Sequence, residues 1–336
     1  TSKQMLLQSC SKSARSRLAH SLVACSLAAG SATYTLPRTC STLGAALRAA
    51  EQSFARESVP EASLSAQHLL TRAAGFGNSR AALAQQLDEP LQDEVRTRFE
   101  DMCGQRLRRV PVQYILGDWD FHELTLSVAP PVLIPRPETE QLVELVLEAH
   151  GAARAAPLRF LDVGCGSGAI GLALLHKMQR ADCVGLDIRS EATELATRNA
   201  EALGLAARYR AVLVAGGIAH FPSGESGAFD VIVSNPPYIP KADMATLEPE
   251  VVDHEDEGAL CGGADGLDVV RQLLVAAPMQ LRRDGPRAIW LEVDPSHPPL
   301  IEQIVTVEQP ELGLDFVRSH DDQFGLLRFC ELRWRG

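Results

Sequence analysis

A mostly parallel β-sheet covered by helices on both faces, preceded by a smaller all-helical unit, is the architecture this sequence predicts. Two patterns carry that expectation. From about residue 159 onward, short apolar runs alternate with amphipathic stretches almost to the C-terminus, as strand–helix repeats do. Between about Ser41 and Leu107, by contrast, apolar residues recur every three to four positions, which is the helical period. With 336 residues, 46% hydrophobic and 22% charged, the chain is long enough for two domains with cores of their own.

The first element in order is a leader. Residues 1–50 hold Lys3, Lys12, Arg15, Arg17, Arg38 and Arg48 and no Asp or Glu, although the net charge of the chain is −11. The Ser/Ala/Leu/Arg-rich composition of residues 1–40 predicts a mitochondrial transit peptide, with a disordered basic leader as the blander reading. Its apolar run LVACSLAA falls far short of the ~20 residues a helix needs to cross a bilayer, so no membrane span is expected. The rest of the chain is strongly acidic. No direct nucleic-acid partner is expected of it, because non-specific affinity for phosphates comes from cations that displace condensed counterions. The eight cysteines are scattered without a C-x-x-C pair, which indicates neither a disulfide framework nor a zinc site.

Residues 41–110 form the expected helical domain. STLGAALRAAEQSFARE opens with Ser and Thr in capping position, and ASLSAQHLLTRAAGF and LQDEVRTRFEDMCGQRLRR repeat the same apolar spacing. Residues 111–135 then change character, with alternating apolar residues and a run of prolines that predict a short hairpin linking two domains. The α/β domain spans 136–336. Strands are expected near 159–163, 183–187, 210–214, 229–234 and 287–293, followed by two more joined by a turn at the C-terminus. In such a sheet a ligand sits at the carboxyl ends of the strands.

The first of these strands runs into FLDVGCGSGAIGLALL. Gly164, Gly166 and Gly168 allow a tight turn from strand into helix, and with Cys165 and Ser167 they bring bare backbone to a ligand. Ala169 fits the last place of a dinucleotide fingerprint, so glycines alone leave a nicotinamide cofactor open. Asp162 discriminates, because a carboxylate two places before the loop repels a pyrophosphate and suits the ammonium and sulfonium charges of S-adenosylmethionine. Asp187 ends the second strand about 20 residues past the glycines, where a carboxylate accepts both ribose hydroxyls of an adenosine.

The fourth strand runs into SNPPYIP. Pro236 forces Asn235 into an extended conformation and Pro237 does the same to Pro236, so this turn is stiff before any substrate arrives. An amide or aromatic amine nitrogen is a poor nucleophile, its lone pair being delocalised. If the Asn235 side-chain oxygen and the Pro236 carbonyl each accept one N–H, the nitrogen can pyramidalise toward a methyl carbon without a strong base. Tyr238 can lie flat against a planar substrate group.

These segments, with PVQYILGDWDF, LIPRPETE, RNAEALGL and GALCGGADGLDVV, resemble the HemK/PrmC family of protein-(glutamine-N5) methyltransferases that modify peptide chain release factors. The resemblance spans roughly residues 41–333. It implies a class I S-adenosylmethionine-dependent methyltransferase fold, Rossmann-like with a seven-stranded sheet, and a helical N-terminal domain that helps dock the release factor. It implies that the glutamine of a Gly-Gly-Gln loop enters the pocket of Asn235, Pro236, Pro237 and Tyr238. Gly164 to Gly168 and Asp187, with Asn235, would hold the cofactor. With the basic leader, the resemblance points to the mitochondrial matrix. Arg136, Glu138 and Glu140 match the family's RPETE segment, although they would equally serve as caps of the following helix.

Two departures stand out against the family pattern. Ala215 and Gly216 occupy the place of an acidic residue that contacts adenine, and Asp256 replaces a proline, which predicts a looser loop over the pocket. Asp253 to Glu257, with His254 among them, read as a solvated acidic loop and not a metal site. Two rival functions fit parts of the sequence: an adenine-N6 methyltransferase acting on DNA or RNA, and a catalytically inactive interaction protein of the same fold.

Overall fold

The computed structural model describes residues 34–151, 157–221 and 227–336. Residues 1–33, which carry most of the expected leader, lie outside the described residues. Tyr34 to Cys40, expected within that leader, instead pack on the helical layer. Leu36 and Cys40 are buried there, and the Leu36 N–H donates to the Glu100 carboxylate at 2.9 Å.

The helical region contains Leu43–Arg56, Ala62–Ala73, a short Arg80–Ala84 and Asp93–Leu107. Thr42 caps the first helix, its hydroxyl accepting the Ala45 N–H at 3.2 Å. The three-to-four spacing sends Phe54, Leu69, Leu70 and Phe99 into one apolar core with Leu36. The linker is more ordered than a bare hairpin. A helical turn, Val112–Leu116, precedes β1 (Asp118–Phe121) and β2 (Leu124–Ser127), which pair antiparallel with Trp119 opposite Leu126. Phe121, Leu124 and Leu126 belong to the core of the α/β domain, so the hairpin is one of its packed parts.

That domain has seven strands: β3 (Arg159–Val163), β4 (Asp182–Asp187), β5 (Tyr209–Leu213), β6 (Val231–Ser234), β7 (Ala288–Glu292), β8 (Leu314–Asp321) and β9 (Leu327–Trp334). Their order is β5-β4-β3-β6-β7-β9-β8, parallel from β5 to β7 and antiparallel for the last two. Side chains alternate between two cores. Phe160, Val231, Val233 and Trp290 face the helices Pro137–His150 and Ala169–Lys177, whereas Leu161, Val163, Ile232 and Ile289 face the helix Asp268–Gln280. Such strands read as continuous apolar runs because both faces are covered. The chain builds β3, β4 and β5 outward in one direction and then returns to place β6 against the other side of β3. That reversal leaves a crevice at the carboxyl ends of β3 and β6, the usual ligand position in a doubly wound sheet.

The helical region is tied to the α/β domain by a buried charge cluster. Glu250, on the short helix Pro249–Val252, accepts Arg106 Nη1 at 2.9 Å and Arg109 Nη2 at 2.8 Å. Arg106 is 4% exposed, so removing its carboxylate leaves a cation that water cannot solvate. Glu250→Ala is expected to destabilise the protein by about 3 kcal/mol, read as a lowered midpoint in denaturant unfolding. An unchanged midpoint would mean that the other partners of Arg106, the Ser65 hydroxyl and the Val110 and Pro60 carbonyls, suffice.

Candidate active site

The crevice is a cleft whose wall brings Gly164, Cys165, Gly166, Ser167, Asp187, Asn235 and Pro237 together from three segments far apart in sequence. Gly168 stands just behind it as the cap of the following helix, at φ +83, where a Cβ would press on Leu172 and Ala196. Gly164 has φ +73 and open space where its side chain would be, so a ligand can come up against bare backbone.

Asp187 holds this loop in shape. Its Oδ2 accepts the Gly166 N–H at 3.0 Å and its Oδ1 accepts the Arg189 N–H at 3.0 Å. Burial raises its pKa, against the lowering effect of these donors. Each oxygen retains a lone pair for a hydroxyl in the cleft. Ala215 and Gly216 are exposed and outside the cleft wall; Gly217 and Ile218 line it instead, together with Ile188 just beyond β4. An apolar slot thus stands where the acidic residue was expected.

Asp162 does not face the cleft. Alternation along β3 turns it under the Ala169–Lys177 helix, fully buried, with Oδ2 accepting the Gly171 N–H at 3.1 Å and Oδ1 without a partner among the described residues. Burial pushes its carboxyl up to about 7. Its position argues nothing about a ligand's charge, and the choice between ligands rests on the remaining geometry.

The turn after β6 is as stiff as its prolines predict. Pro236 is buried and Tyr238 half-buried, its phenol pushed up to about 12 by burial and by Glu292 nearby. The Asn235 Nδ2 donates to the Thr139 hydroxyl at 3.1 Å. Among the described residues nothing donates to Asn235 Oδ1 or to the Pro236 carbonyl. Two neighbouring acceptors after β6, one on the cleft wall at Asn235 and one at the buried Pro236 beside it, are thus without a donor among the described residues, which suits a group carrying two N–H bonds.

The acidic loop is not simply solvated. Glu255 is buried and takes Arg136 Nη2 at 2.9 and 2.7 Å, and Asp256 takes Arg189 Nε at 2.9 Å and Nη2 at 2.7 Å. Asp256 also donates its backbone N–H to Pro131. Instead of loosening the loop, the aspartate in place of proline fastens it to the segment that carries Asp187. Arg136 takes the helix-capping position and lines the cleft as well, while Glu138 and Glu140 lie in the first turn, favourably placed at the positive end of the helix dipole. Thr139, between them, carried no sequence signal of its own.

A model of the PrmC N-terminal domain matches residues 45–117, and one of the methyltransferase small domain matches residues 140–253. Among curated proteins, the chain is 39% identical over 295 residues to the MTRF1L release factor glutamine methyltransferase of Homo sapiens, covering 84% of this chain and 85% of that protein. It is 41% identical over 240 residues to the release factor glutamine methyltransferase of Geobacter sulfurreducens, covering 71% and 79%. Among solved structures, the human METTL16 catalytic domain in complex with a MAT2A 3′UTR hairpin is similar in fold. The identity is 17% and the TM-score 0.50, over 70% of this chain and 82% of that one.

Proposed function

The chain belongs to the release factor glutamine methyltransferase family, and from that premise we propose how its residues divide the work. The reaction is methylation of a release factor glutamine with S-adenosylmethionine as the donor. The residues lining the cleft fit that donor: a glycine loop open to backbone contact, a carboxylate for the ribose hydroxyls at Asp187, and the apolar side chains of Ile188 and Ile218 for adenine. S-Adenosylmethionine supplies a methyl group on a sulfonium, which departs as a neutral thioether once the carbon–sulfur bond breaks.

The observation that carries the reading of the substrate is the pair of free acceptors, Asn235 Oδ1 and the Pro236 carbonyl. They hold the two N–H groups of the glutamine side-chain amide and aim its nitrogen lone pair out of conjugation, toward the methyl carbon. As the new bond forms, the N–H groups grow more acidic, and the two oxygens stabilise the developing positive charge until one proton passes to water. Tyr238 stays protonated at neutral pH and packs against the planar amide. The substrate is the N5 nitrogen of the glutamine in a Gly-Gly-Gln loop, presented while residues 41–110 dock the rest of the release factor. The acidic body of the chain speaks against a nucleic-acid substrate.

Incubation with S-adenosylmethionine and a release factor, read by mass spectrometry of the Gly-Gly-Gln peptide, tests this directly. A methyl group on the glutamine is expected. Methylated adenine in a parallel nucleic-acid incubation, with the peptide unmodified, would overturn it, and cofactor binding without methylation of either would favour an inactive protein.

The basic, acid-free leader supports a mitochondrial location, with the matrix as its end point. Because Leu36 and Cys40 are part of the helical core, cleavage is expected to leave a chain that begins at or before Tyr34. N-terminal sequencing of protein from isolated mitochondria checks this, and a start beyond Cys40 would contradict it.

A further inference from the structure

We propose that Thr139 and Glu292 decide which face of the Asn235 side-chain amide meets the substrate, and so act as positioning residues for methyl transfer. The inference rests on the reading that Asn235 accepts a substrate N–H.

The two residues come from different elements. Thr139 lies in the first turn of the helix Pro137–His150 and is 4% exposed; Glu292 ends β7 and is 1% exposed. In the register of β6 with β7, Ser234 stands opposite Leu291, so Asn235 and Glu292 follow side by side. Asn235 Nδ2 donates to Thr139 Oγ1, and the Thr139 hydroxyl is near enough to the Glu292 carboxyl to favour its ionised form. Glu292 Oε2 is buried with no hydrogen-bond partner among the described residues.

A hydroxyl has one proton to give, and the two faces of an amide differ in kind. An ionised Glu292 has no proton, so it takes the proton of Thr139. The lone pair of Thr139 is then left for Asn235, and only the Asn235 N–H satisfies it. That orientation turns Oδ1 into the cleft as an acceptor. A protonated Glu292 can donate to the Thr139 oxygen, which frees the Thr139 proton for Asn235 and favours the opposite face. The Asn235 NH₂ would then meet the substrate NH₂ donor to donor.

Charged and titratable groups surround Glu292 from each neighbouring element: Arg328 on β9, Arg136 and Glu138 at the start of the helix, and Tyr238 after β6. Burial pushes its carboxyl up to about 7, against the pull of the Thr139 hydroxyl and of Arg328. The change between the two hydrogen-bond arrangements therefore falls within the working range of pH.

The test uses the full chain with a release factor, comparing wild type, Thr139→Val, Thr139→Ser and Glu292→Gln. Thr139→Val is expected to lower kcat about 30-fold with S-adenosylmethionine affinity within about threefold, and Thr139→Ser to restore most of it. Wild-type kcat should rise with pH through about 7 to a plateau, and Glu292→Gln should lose that rise. Wild-type kcat for Thr139→Val, or the same pH profile with and without Glu292, would overturn the inference. The asparagine side-chain NMR signal that Asn235→Ala removes gives a readout independent of turnover. It should titrate with Glu292 in wild type and not in Glu292→Gln; an Asn235 signal that ignores Glu292 sinks the inference even in a protein that methylates nothing. Absent wild-type methylation with a titrating Asn235 signal would instead sink the functional reading and leave the positioning pair standing.

Discussion

Asn235→Ala is expected to lower kcat by about 10²- to 10³-fold, the usual effect of deleting one hydrogen-bonding group aimed at developing charge. The alanine leaves the Pro236 carbonyl as the sole acceptor, so the substrate nitrogen keeps one N–H held and loses the second contact that fixes its lone pair. Asn235 shares the cleft wall with Asp187 and the glycine loop, which keep their cofactor contacts in this variant, so affinity for S-adenosylmethionine should stay within about threefold. Single-turnover kinetics with saturating cofactor, paired with calorimetric titration of the cofactor alone, separate the two effects. Normal kcat in this variant would mean that the amide nitrogen is activated by something else.

The opposite split is expected of Asp187→Asn. Both carboxylate oxygens already take backbone N–H donors, from Gly166 and from Arg189. An amide must turn its NH₂ toward one of those donors, which repels the loop it should brace, and it offers the ribose a weaker acceptor. Charged hydrogen bonds are worth about 1.5–3 kcal/mol each, so a loss of about 10- to 10²-fold in cofactor affinity follows. With cofactor raised to saturation, kcat should recover to within about tenfold, because the residues that touch the glutamine are untouched. A variant that binds S-adenosylmethionine normally would remove Asp187 from the cofactor site.

The fold was legible because its strands are buried on both faces. VIVS, AIWLE and RFLDV read as apolar runs, and glycine or proline punctuates their carboxyl ends, so the sheet and its active edge follow from local pattern alone. The cleft-lining glycines, Asp187 and Asn235 were legible for the same reason: each sits next to a strand end. What the pattern could not supply depended on packing between distant segments. Asp162 has the residue type expected beside a charged cofactor, yet the pleat of β3 turns it to the helix side. Thr139 meets Asn235 across 96 residues of chain, and its role depends on a helix start laid over β6 and β7. Asp256 looked like a weakened loop because a lost proline is visible in sequence and a gained ion pair with Arg189 is not.

In the proposed mechanism Asn235 Oδ1 and the Pro236 carbonyl receive the substrate amide. A crystal structure of this protein with S-adenosylhomocysteine and a release factor measures it in one step. Both oxygens should lie within hydrogen-bond distance, about 2.7–3.2 Å, of the glutamine side-chain nitrogen, with that nitrogen facing the cofactor sulfur. A glutamine whose nitrogen is held by other groups, or an Asn235 amide turned with its nitrogen toward the substrate, would contradict that mechanism.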